Sequence, residues 1–183
     1  MTGILAAFGL AAATGLNAYL PLLIVGLLAR YTTLITLKAP WSALANPVVL
    51  GVLAALLAIE MTVDKIPAVD TVNDVIQTLF RPAAGAILFA ASSNIISDVS
   101  PVLAMICGLV IAGGVHTAKS VSRPAVTAGT LGTANPVVSL AEDAVSGVTT
   151  VLAVVAPVLL AALIVLGAYW VIRWRRRKKR DRR

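Results

Sequence analysis

Residues 146–172 run for 27 positions without one charged side chain. A helix needs about 20 apolar residues to cross the hydrocarbon core of a bilayer. In lipid the backbone must satisfy its own polar groups, so a single run of this kind folds as a helix. Other apolar runs occupy 3–29, 44–63, which takes in Glu60, and 101–118. The chain as a whole is 59% hydrophobic and 13% charged, against ~25% charged in a soluble domain. The expected fold is all-α, a multi-pass transmembrane helical bundle over residues 1–172, followed by a basic tail at 173–183. A chain of 183 residues then has no room for a separate soluble domain. The first run is preceded by no basic residue and is too long for a cleaved signal peptide, so it reads as a retained helix.

Three segments depart from plain spans. Over 64–81, Val69, Val72, Val75, Ile76 and Leu79 recur at helical spacing opposite Asp70, Asn73, Asp74, Gln77 and Arg81. This pattern predicts a short amphipathic helix, separated from the preceding span by Pro67. Residues 82–97 are apolar but short. Residues 124–145 are rich in Gly, Ala, Thr and Ser and contain Pro124 and Pro136. They predict a broken or re-entrant segment enclosed by protein, because irregular backbone cannot face lipid. Arg81-Pro82-Ala83 recurs as Arg123-Pro124-Ala125, and Asn17 near Pro21 echoes Asn135-Pro136. These are weak signs of an internal repeat, a feature of transporter folds.

The net charge of +7 belongs to the tail, which holds nine of the fifteen Lys and Arg residues. The remainder carries six basic and seven acidic residues. Such basicity in a soluble chain would suggest nucleic acid. Here it follows an apolar helix directly, so anionic lipid headgroups are the expected partner of Arg173, Arg175, Arg176, Arg177, Lys178, Lys179 and Arg180, and nucleic acid is not. The positive-inside rule then places the C-terminus in the cytoplasm. A single cysteine, Cys107, and a single histidine, His116, exclude a disulfide within the chain and a Cys- or His-rich metal site. No phosphate-binding loop, nucleophile elbow or metalloprotease motif is present. The chain is therefore expected to be no enzyme and to use neither metal nor cofactor.

Seven of the eight acidic residues, Glu60, Asp64, Asp70, Asp74, Asp98, Glu142 and Asp143, lie between apolar runs. A carboxylate inside a membrane helix costs ~2.5–3.5 kcal/mol on insertion scales, so several of them imply a use. Glu60 and Asp64 are four apart and share one helical face, with Lys65 and Asp74 nearby. They read as a proton or cation relay, or otherwise as a solvated surface loop. His116, Lys119 and Arg123, at offsets of three and seven, share a face of their own. That face could pair with the acids across the bundle, bind an anion, or snorkel at a helix end. Asn135-Pro136 could free backbone carbonyls for a ligand. Glu142 and Asp143 are adjacent and so must point in different directions. Ser139 with Glu142 also matches a capping box.

The segments AATGLNAYLPLLIVGLLARY, EMTVDKIPAVDTVNDVIQTLFRPAAGA, HTAKSVSRP and GTANPVVSLAEDAVS resemble the bacterial membrane-protein family labelled domain of unknown function 4126. The resemblance covers nearly all of the chain except the tail, and DKIPAVD and ANPVVSLAED are its most specific parts. It implies a multi-pass protein of the bacterial inner membrane and assigns no activity.

The leading expectation is a small transporter- or channel-like protein. Its polar path would be lined by Glu60, Asp64, Lys65, Asp74, His116, Lys119, Arg123, Asn135, Glu142 and Asp143. A homo-oligomer would help so few helices to enclose a path. The alternative is a structural or regulatory protein whose charges are helix-locking salt bridges. An intramembrane enzyme acting on lipid ranks third, for want of a nucleophile.

Overall fold

A computed structural model describes residues 3–63, 67–93 and 100–180, with backbone alone at 67–72, 74, 93 and 175–180. Among the described residues there are seven α-helices and no strand: α1 Gly3–Leu16, α2 Tyr19–Tyr31, α3 Pro47–Val63, α4 Pro67–Ser93, α5 Pro101–Thr130, α6 Asn135–Val155 and α7 Pro157–Arg180. A 3₁₀ turn at Trp41–Ala45 precedes α3. Four helices are long and apolar enough to cross a membrane, within α4, α5, α6 and α7.

The first apolar run is not one span. Asn17 and Ala18 divide it, and α2 folds back alongside α1. Leu20 lies beside Gly147 of α6, while Ser146 donates to the Ala13 carbonyl of α1. Further on, Val25 of α2 shares a cavity with Leu10 of α1 and Val154 of α6. The two arms have 14 and 13 residues, about 20 Å each, so neither crosses a bilayer alone. They form a helical hairpin whose tip ends part-way along α4, α5 and α6. The re-entrant element expected at 124–145 therefore lies at 3–31 instead.

Residues 124–145 are largely regular. α5 continues through Pro124 to Thr130, and a turn containing Leu131 (φ 50°) and Gly132 (φ 80°) leads into α6. Pro136 falls in the first turn of α6, where its missing N–H has no helical partner to lose. Because α6 starts at Asn135, Ser139 and Glu142 are already inside the helix and do not form a capping box.

The amphipathic segment and the short apolar segment are one helix, α4, which passes through Pro82. Packing overrides the local preference: Ala84, Ala86, Leu88, Phe89, Ala90 and Ala91 are buried. Against α5 the approach is so close that a Cβ on Gly108 would overlap the Gly85 carbonyl oxygen. Small residues permit this in membrane bundles. The run 146–172 is likewise divided, at Ala156, between α6 and α7. The start of α7 packs through Leu160 against Gly9, and its later turns are exposed apolar side chains.

The core has two halves. Near the N-terminus of α1, apolar side chains fill the space: Ala7, Ala11, Phe89, Ala90 and Ala104 form one cluster, and Leu10, Leu22, Val25, Leu53, Leu88 and Ala153 belong to another. Around the hairpin tip, polar and charged residues are buried among small ones such as Ala13 and Ala18.

Candidate functional site: a charged layer at the hairpin tip

The break at Asn17 leaves the carbonyls of one helix end and the N–H groups of another inside the bundle, where each needs a partner. The Asn17 side chain supplies one set: its Oδ1 accepts from the Tyr19 and Leu20 N–H groups at 3.1 and 2.9 Å. Other helices supply the rest. Lys119 Nζ of α5 donates to the Leu16 carbonyl at 3.3 Å, and Ser146 Oγ of α6 donates to the Ala13 carbonyl at 2.9 Å. Asn17 Nδ2 donates to Asp143 Oδ1 at 2.9 Å. The charges suit the helix dipoles. An ammonium faces the negative C-terminal end of α1, and a carboxylate stands, through Asn17, before the positive N-terminal end of α2.

Two ion-paired groups flank the tip. Arg81 of α4 and Glu60 of α3 form a salt bridge at 3.1 Å, with side chains 0% and 1% exposed. Arg81 Nη1 also meets His116 Nδ1 at 3.0 Å. A guanidinium can only donate, so Nδ1 accepts, and a neutral ring carries its proton on Nε2. That nitrogen faces Thr78 Oγ1 at 3.1 Å and Ser120 Oγ at 3.4 Å. The second group joins Lys119 and Arg123 to Glu142, with Lys119 Nζ 3.1 Å from Glu142 Oε2 and Arg123 donating to both carboxylate oxygens. Beyond it, Thr127 Oγ1 donates to Asn135 Oδ1 at 3.1 Å.

The α5 face read from spacing is buried along its length: His116, Lys119 and Arg123 are 3%, 5% and 4% exposed. Lys119 and Arg123 meet Glu142 of α6 and His116 meets Arg81 of α4, so the carboxylate partner seen for this face is Glu142 rather than Glu60. Glu142 and Asp143 do diverge, one toward α5 and the other toward the hairpin. Asn135 is buried but sits at a regular helix start, so it marks no mid-helix break. Of the remaining expected residues, Asp64, Lys65 and Asp98 lie outside the described residues. Asp70 and Asp74 lie on α4 with side chains outside them. Among the described residues no three His, Cys, Asp or Glu side chains gather as a metal site.

Three members of the layer were not expected. From the sequence, Arg81 reads only as the last polar residue of the amphipathic segment 64–81. Asn17 reads only as part of a weak internal repeat. Gln77, one turn before Arg81, is buried beside Tyr19, where Glu60 and Arg81 also act. The available signal was the spacing of Asp70, Asp74, Gln77 and Arg81, which continues one helical face up to Pro82. Gln77 Oε1 and Ser139 Oγ are buried with no hydrogen-bond partner among the described residues. Among the described side chains of the layer, Arg81, Lys119 and Arg123 oppose Glu60, Glu142 and Asp143.

Fold and site together define a multi-pass helical membrane protein with a charge-balanced polar layer at the tip of an internal helical hairpin. Its membership follows from the sequence: the chain belongs to the family described as Domain of unknown function (DUF4126), whose model matches residues 4–177. The match thus extends into the basic tail. No curated protein and no solved structure matches the chain.

Proposed function

We propose that this chain is a small transporter- or channel-like protein of a bacterial cytoplasmic membrane, with its C-terminus in the cytoplasm. The polar layer is its path for protons or a small polar solute. The observation that carries this reading is the hairpin tip itself. Two opposed half-helix ends meet ionised side chains inside the bundle, the arrangement by which discontinuous helices handle ions and solutes in membranes. Intramembrane ionisable residues mark such paths. Gln77 Oε1 and Ser139 Oγ supply buried polar atoms not committed to pairing within the described residues. In this reading carboxylates such as Glu60 accept and release protons, Arg81 holds Glu60 and Lys119 holds Glu142 in register, and no catalytic step is involved. The tail residues from Arg173 to Arg180 contact anionic headgroups, and a homo-oligomer encloses the path.

One observation favours a second reading, in which the layer locks the helices. Glu60 pairs directly with Arg81, and Glu142 with Lys119 and Arg123. Reconstituted vesicles holding a pH-sensitive dye distinguish the two. A path predicts proton flux under an imposed potential, reduced at least about tenfold in Glu60→Gln and Lys119→Ala, a barrier change of about 1.4 kcal/mol. Flux no greater than in protein-free vesicles would leave the lock as the function.

A further inference from the structure

Away from the charged layer, the arms of the hairpin diverge around a cavity of about 150 Å³. Leu10 of α1 and Val25 of α2 face each other across it, Ala91 and Val154 close its sides, and the extended segment Leu34–Leu37 covers it. Ser92 is one of its few polar residues, and its hydroxyl is already donated to the Leu88 carbonyl at 2.8 Å. Thr36 is the other polar side chain of this predominantly apolar lining, and a water molecule needs two to four polar partners. Apolar cavities of about this volume hold six-carbon hydrocarbons. Left unfilled, the lining would forfeit dispersion contacts on one side.

We propose that this cavity is an acyl-chain site, in which the terminal segment of a membrane lipid's tail inserts between the hairpin arms beneath Leu34–Leu37. The occupant follows from the setting. The cavity lies within an apolar bundle whose neighbouring helices expose Ile4, Phe8, Val158 and Leu159, so hydrocarbon chains are its surrounding medium. Its lining offers little to a headgroup or a charged solute. The site is separate from the polar layer, and its occupant wedges the two arms whose tip carries Asn17.

The test uses the full chain in phosphatidylcholine vesicles doped with a lipid bearing a photoactivatable diazirine near the end of one acyl chain. Cross-linked residues are mapped by peptide mass spectrometry. Labelling is expected at Leu10 and Val25 as well as on the exposed face of α7. Ala6→Trp, which fills the cavity from α1, should cut labelling at Val25 at least tenfold while leaving α7 labelling unchanged. If Ala6→Trp disturbs α7 labelling, Val25→Phe fills the same space from the other arm, and labelling at Leu10 becomes the readout. Labelling confined to α7 in the wild type, or cavity labelling that survives the filling variant, overturns the proposal.

Discussion

The most direct test of the hairpin is Asn17→Ala. The substitution removes the acceptor for the Tyr19 and Leu20 N–H groups and the donor to Asp143. Losing a side-chain cap costs about 1 kcal/mol. A hydrogen bond between membrane helices averages ~0.6 kcal/mol and reaches ~1.7 kcal/mol. Together the loss is about 2 kcal/mol, or roughly 30-fold in the unfolding equilibrium. Asn17→Asp keeps the acceptor but sets a second carboxylate against Asp143. At ~4 Å and an effective dielectric of 20 this repulsion is about 4 kcal/mol, partly relieved when one carboxyl takes up a proton. Asn17→Asp should therefore be worse than Asn17→Ala at neutral pH. Combining it with Asp143→Asn restores one donor and one acceptor and should recover at least half of the loss. Helix content followed by circular dichroism through an SDS titration in mixed micelles reads these differences. Asn17→Ala within about 0.5 kcal/mol of wild type, or a double variant no better than Asn17→Asp, would refute the assignment of Asn17 as the residue that joins the two half-helices.

Three further outcomes follow from the packing. Glu60→Leu takes from the buried Arg81 the carboxylate it meets at 3.1 Å, at a cost of up to about 3–5 kcal/mol, whereas Glu60→Leu with Arg81→Leu removes both charges and should cost less than the single change; the same SDS titration measures both. Gly108→Val drives a side chain into the Gly85 carbonyl and should abolish a folded α4–α5 pair, while Gly51→Ala, which meets open space, should be neutral or stabilising by up to about 1 kcal/mol; folded yield by size-exclusion chromatography separates them. Deleting 173–183 removes basic side chains that each contribute about 1 kcal/mol at an anionic membrane surface, so the enrichment of anionic lipid co-purified from mixed vesicles should fall toward the bulk ratio, and unchanged enrichment would remove that role for the tail.

The membrane class and the α5 face were legible for physical reasons. An uncharged run such as 146–172 has few other stable environments, and offsets of three and seven align His116, Lys119 and Arg123 on any straight helix. The hairpin was not legible. A 27-residue apolar run looks the same whether it crosses once or turns at its middle, since both forms bury the same side chains. What decides is who meets the backbone and the Asn17 side chain at the break: Lys119 and Ser146 reach the carbonyls and Asp143 accepts from Asn17, and all three lie more than a hundred positions away. Arg81 stands at the boundary between segments 64–81 and 82–97 as the sequence divides them, and the residue before proline is disfavoured in a helix. Burial of Ala84–Ala91 and the bond from Arg81 to Glu60 outweigh that preference. Residues 124–145 erred the other way, because Gly, Thr and Pro were read as a break where Pro136 simply opens α6.

Their cost in hydrocarbon marks the charges of the layer as unusual, and their arrangement is specific to the hairpin. A lock between packed helices needs only opposite signs at matching heights, which Glu60 and Arg81 already provide. Lys119 does more, since it reaches both Glu142 and the end carbonyl of α1, and Asp143 is engaged by Asn17, whose Oδ1 accepts from the first N–H groups of α2. Reversing their signs would preserve the overall balance but set each charge against the wrong helix end. A paired Lys119→Glu and Glu142→Lys exchange is therefore expected to fail where a simple lock would tolerate it. A full recovery of folded yield in that exchange would show that the helix ends play no part. Its failure beside a tolerated Glu60→Arg with Arg81→Glu exchange would locate the sign requirement at the hairpin tip.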